Sequence, residues 1–128
     1  MIDRRAHLER TAEALRVLHK ALIDHLQASW ERDHGRVPSS SELLRLLMTE
    51  PHFEWLRPMS RLMVELDDVL EGPSDVQLDG REMAVRARLR ALLAGEGGEF
   101  REFGERYMEA LQAEPDVVLA HAALRKTL

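Results

Sequence analysis

Residues 3–34, DRRAHLERTAEALRVLHKALIDHLQASWERDH, decide the fold. Leu8, Ala12, Leu15, Leu18, Leu22, Leu26 and Trp30 recur at spacings of three and four. That spacing lines one side of a helix and no side of a strand. Glu9, Glu13, Arg16, Lys20, Asp24 and Gln27 fall on the opposite side, where charge meets water. Gly35 follows, the residue that most readily takes the left-handed conformation that stops a helix. The stretch therefore predicts one amphipathic helix from about Asp3 to His34.

Composition extends this to the whole chain. Leucine occurs 21 times and alanine 14 times, against 13 β-branched Val, Ile and Thr together. Leu, Ala, Glu and Arg favour helix, whereas strands want β-branched and aromatic side chains. The 128 residues suit one domain. With no cysteine, disulfides, thiolate metal sites and cysteine nucleophiles are excluded. Eighteen basic against 23 acidic residues give a formal charge of −5, which argues against a globally basic nucleic-acid binder. The N-terminal residues are charged at once and no apolar run approaches the ~20 residues that cross a bilayer. The expectation is a cytoplasmic protein without a membrane partner.

Beyond Gly35, Ser39 and Glu42 match the S-x-x-E capping box and open a second helix, about Ser40 to Thr49. Pro51 begins a short turn, and Pro58 pushes Arg57 away from helical geometry, so a break is expected there. Trp55, Met59, Leu62, Met63, Leu66, Val69 and Leu70 form the stripe of a third helix that ends at Gly72-Pro73. Residues 73–79 read as a linker. Asp79 with Glu82 then resembles a second capping box, opening a fourth helix to Ala94 with Val85, Leu89, Leu92 and Leu93 on one side. Gly95-Glu96-Gly97-Gly98 breaks the chain. A fifth helix brings Phe100, Phe103, Tyr107 and Leu111 together, and Pro115 opens a sixth through Val117, His121, Leu124 and Leu128. No repeat or second domain is visible. The fold class is all-α: a single-domain bundle of five or six helices with a long N-terminal helix.

The stretches His34-Gly35-Arg36-Val37-Pro38, Glu42-Leu43-Leu44 and Phe53-Glu54-Trp55-Leu56-Arg57-Pro58-Met59-Ser60, with Tyr107-Met108-Glu109-Ala110-Leu111-Gln112 and Pro115-Asp116-Val117-Val118-Leu119-Ala120-His121, resemble a family of small uncharacterised bacterial proteins. The resemblance covers most of the chain. It implies a bacterial helical protein and carries over no activity, cofactor or site residue.

Histidines are the first candidates for chemistry. At about 100° per residue, His19 falls among the apolar positions of the first helix, and His121 lies on the Val117–Leu124–Leu128 stripe. Two core-facing histidines, with Tyr107 as a third polar member, predict a small-molecule or metal pocket between helices. The competing reading is that each simply finds a hydrogen-bond partner in or near the core. Glu31 and His34 form an E-x-x-H, but a di-iron bundle needs two, and no H-E-x-x-H zinc motif exists. No resident metal or cofactor is expected.

Arg81, Arg86, Arg88 and Arg90 make the fourth helix locally basic. They border its apolar stripe on both sides, as long cationic stems do. Glu99, Glu102, Glu105 and Glu109 stand ready to neutralise them, and no aromatic stacking platform accompanies them, so no nucleic-acid partner is expected. Neither a G-x-S-x-G nor a glycine-rich phosphate loop occurs. Asp67 and Asp68 look like a solvated pair.

Phe53, Trp55, Met59 and Met63 form the richest apolar cluster. Methionines and aromatics suit partner surfaces as well as cores. A 30-residue first helix would be about 45 Å long, while a 128-residue monomer is only about 30 Å across. An apolar stripe along all of it wants a kink or a second subunit. The sequence therefore reads as a non-enzymatic protein-interaction or oligomerisation module, a homodimer built on the first and third helices. The alternative is the ligand-binding protein using His19, Tyr107 and His121.

Overall fold

The first helix forms as its periodicity demands. In the computed structural model, which describes residues 4–73 and 76–128, α1 runs unbroken over Arg4–His34. It buries Leu8, Ala12, Leu15, Leu18, Leu22 and Leu26. Gly35, at φ +83°, ends it and donates its N–H to the Glu31 carbonyl at 3.0 Å. Ser39 caps the next helix, α2 (Ser40–Thr49), by accepting the Glu42 N–H at 3.1 Å. One turn, α3 (Pro51–Glu54), and a bend at Trp55-Leu56 lead into α4 (Arg57–Glu71). Then come α5 (Val76–Ala94), α6 (Arg101–Ala113) and α7 (Pro115–Arg125), with a 3-10 turn at Gly98–Phe100 before α6.

Seven α-helices are present among the described residues, one or two more than expected, because the Pro51 turn and the helix that follows it are separate elements; the break expected at Arg57 falls at Trp55-Leu56, and Arg57 already begins α4 with Pro58 in its first turn. The linker expected over 73–79 is also shorter. Residues 74 and 75 lie outside the described residues, and Val76 already begins α5. Asp79 is thus inside the helix rather than capping it, and its carboxylate pairs with Arg4 of α1.

Five helices close a ring. α1 packs on α4, α4 on α5, α5 on α6, α6 on α7, and α7 back on α1. Arg5, at the start of α1, donates to the carbonyls of Leu70 and Gly72 at the end of α4, so these two helices run antiparallel. Met59, Leu62, Leu66, Leu89, Leu92, Phe103, Val117 and Leu124 point into the ring and are almost fully buried. Each such side chain contributes about 1.5–3 kcal/mol by leaving water. Among the described residues no helix is long and apolar enough to cross a membrane.

The mismatch between helix length and molecular width resolves inside one chain. At about 1.5 Å per residue α1 is about 46 Å long, and α3 covers the end that the ring does not reach. Trp30 stacks on His34 at 3.8 Å and tilts against His52 and Phe53 at 5.7 and 5.9 Å. The stripe that wanted a second subunit is covered by α4, α7 and the α3 turn. The same holds for the cluster expected to face a partner. Phe53, Trp55 and Met59 are core residues, at 1, 7 and 0% exposure, and Met63 is half-buried against them. The Pro51 turn folds these side chains inward, so they are packed in the core rather than gathered in one exposed patch.

Candidate functional site

His19 projects from α1 toward α4, where its Nε2 lies 3.1 Å from the Ser60 hydroxyl. Burial pushes its pKa below the ordinary histidine value. The pair sits in a cleft of about 380 Å³ whose floor is Leu47, Phe53 and Leu56 and whose rim is Leu44, Met48 and Arg57. A serine–histidine contact invites comparison with hydrolases, but among the described residues no carboxylate bonds the other ring nitrogen. The orienting member of a triad is thus missing.

Tyr107 and His121 do meet. The phenol oxygen is 2.7 Å from Nδ1 of His121, across the α6–α7 hairpin. Burial raises the phenol's pKa far above its normal value. It lowers that of His121, with a smaller contribution from the nearby Arg125. Behind them Phe103 and Trp55 continue a line of touching rings, with successive centroids 5.3 and 5.4 Å apart. His19 takes no part. Val17, Ala21 and Asp24 face α7, and His19 lies about 160° away from Val17 around α1 at about 100° per residue. The three residues expected to share a pocket are divided between two sides of α1. Among the described residues no three His, Asp or Glu side chains converge as a metal site.

Two further concave places were not foreseen. The first is a groove of about 510 Å³ between the antiparallel α1 and α7. Ala21, Ala28, Ala120 and Ala123 line it. Val17 and Leu119 stand beside them at 50 and 70% exposure. Lys20, Asp24, Glu114 and Asp116 also border it, and Lys20 is bridged to Asp24 at 2.8 Å. That leaves Glu114 and Asp116 as an acidic end. The second place is a cleft of about 460 Å³ where α1, α3 and α6 meet, bearing His25, His52 and Arg106.

The arginines of α5 are engaged within the chain. Arg88 bridges Glu65 and Glu99. Of the other acids expected to neutralise α5, Glu105 and Glu109 pair with Arg101 and Arg106 inside α6. Arg86 departs furthest from its expected role as a flanking stem. It is buried, holds Glu82 at 3.0 Å, and donates to the Thr11 hydroxyl at 3.1 Å and the Thr127 carbonyl at 2.5 Å. This network ties α5 to α1 and to the segment after α7.

No family model, curated protein or solved structure matches the chain.

Proposed function

We propose that this chain is a non-enzymatic, cytoplasmic interaction module whose α1–α7 groove receives one amphipathic helix with basic flanks from a protein partner. The observation that carries the reading is the exposure of Leu119 and Val17 beside an alanine-lined groove. Large apolar side chains placed together in water favour a cover. Alanines let a third helix approach closely, and its anchors at i, i+3/4 and i+7 would then sit between the two ridges. The acidic end at Glu114 and Asp116 selects positive charge on the incoming helix.

The test uses a labelled Leu/Lys amphipathic peptide of about five turns, titrated by fluorescence anisotropy beside its Leu/Glu counterpart. The basic peptide is expected to bind saturably. Leu119→Asp and Val17→Asp, both at exposed positions, should each weaken it about tenfold, or roughly 1.4 kcal/mol. Equal binding of both peptides, or no effect of either substitution, would overturn the proposal. So would light scattering that shows a dimer dissolved by Leu119→Asp, because a second copy would then own the groove.

A further inference from the structure

We propose that the cleft between α1, α3 and α6 binds a small carboxylate with an apolar body, of the arylalkanoate kind. The inference rests on a different concavity from helix docking, and of the residues that line the two, His25 borders both. At about 460 Å³ the cleft falls in the usual range of small-molecule sites, about 300–1,000 Å³. α1, α6, and α3 with the bend that follows it each supply both an apolar and a nitrogen-bearing group. Leu26, Trp55 and Ala110 give apolar surface, while His25, His52 and Arg106 bring ring and guanidinium nitrogens to it.

These nitrogens are held in different ways. His52 lies 3.0 Å through Nε2 from the Leu26 carbonyl, so that nitrogen carries the proton. Phe53 packs on its ring edge-on, with centroids 5.0 Å apart. Arg106 keeps its ion pair with Glu109 at 3.8 Å, beyond hydrogen-bond range, with both side chains more than half exposed. An incoming carboxylate can take the guanidinium fork in two parallel hydrogen bonds, which a single long-range partner does not satisfy.

Charge and lining select the ligand class. Arg106 is the cationic side chain of the lining, and its long pair with Glu109 leaves the fork open to an anion. The commitment of His52 Nε2 to a carbonyl, and the lack of a converging third ligand among the described residues, disfavour a metal ion. A bare inorganic anion would leave the Leu26 and Trp55 surfaces unused.

The test follows the imidazole Cε1–H and indole N–H resonances while phenylacetate is titrated, with phenethylamine and inorganic phosphate as parallel probes. Phenylacetate is expected to move His25, His52 and Trp55 together with one midpoint. Arg106→Gln, at an exposed position of α6, should raise that midpoint about tenfold. No saturable shift at millimolar phenylacetate would overturn the proposal. The same shifts with phenethylamine, an unchanged midpoint in Arg106→Gln, or phosphate moving Trp55 with equal potency would also overturn it.

Discussion

The phenol of Tyr107 donates to Nδ1 of His121 across 2.7 Å, and this bond clasps α6 to α7 beside the Glu114 turn. The direction of donation follows from the environment. Burial holds the phenol protonated, so it has a proton to donate to Nδ1 of a neutral ring that carries its own proton on Nε2. Tyr107→Phe keeps the stacking on Phe103 and removes only the bond. The half-exposed imidazole then turns to water, so the loss should be near that of one net hydrogen bond, about 1 kcal/mol in urea unfolding. A variant as stable as the parent would show that the clasp contributes nothing net.

Acid should loosen the same clasp. Protonated Nδ1 cannot accept, and both His121 and His19 have folded pKa values below the ordinary 6.5, chiefly because burial penalises the charged ring. The unfolded chain therefore binds more protons in the window between the folded values and 6.5. The stability these groups contribute is complete above about pH 6.5 and is lost as pH falls through their lower folded values. Chemical denaturation between about pH 8 and pH 5 should show this decline. The His19→Gln/His121→Gln double variant should show a shallower one. An unchanged slope in that variant would assign the acid sensitivity to carboxylates instead.

Local pattern explains most of the fold and little of the site. Leu8 to Leu26 needed only helical spacing to be placed inward, and Ser39 and Gly35 needed only their neighbours to be read as cap and stop. Trp55 and Met59 were ambiguous, since an apolar stripe looks alike whether its cover is the same chain or another. Only the fold-back at Pro51 decides it. His19 and His121 each lay on an apolar face, yet which neighbour a face meets is set by ring order, which spacing along one helix does not encode. Leu119 and Val17 carried an unused signal: both are apolar positions off the main stripes, and the ring brings them beside one groove. Arg86 had no such signal, because its partners Thr11 and Thr127 are 75 and 41 residues away.

That buried network yields an asymmetric prediction. Glu82 is the one carboxylate paired with Arg86 among the described residues, at 3.0 Å. Glu82→Ala strands a buried guanidinium and should cost about 3–5 kcal/mol. Adding Arg86→Met removes the stranded charge and should recover much of the loss, since apolar replacement of a buried pair is often close to neutral. A double-mutant cycle by thermal or urea unfolding measures the coupling. Additive losses would mean that water reaches the pair and that it behaves as a surface bridge.

The turn between α5 and α6 gives the last test. A Cβ built on Gly104 would lie 2.5 Å from the Gly95 Cα, and one on Gly95, which sits at φ +65°, would lie 2.9 Å from the Gly104 Cα. Both obstacles are backbone, so no side chain can swing aside. Alanine at a helical position normally gains about 1 kcal/mol over glycine. Gly104→Ala should reverse that sign and destabilise by about 1–3 kcal/mol, because α6 must move off the turn. Gly80 is the control. It lies within α5, and a methyl group added there would meet nothing within 4 Å, so Gly80→Ala should stabilise by up to about 1 kcal/mol. Opposite signs for the two substitutions in parallel urea melts would establish the α5–α6 contact. Stabilisation by both would mean that the two backbones do not touch at Gly95 and Gly104.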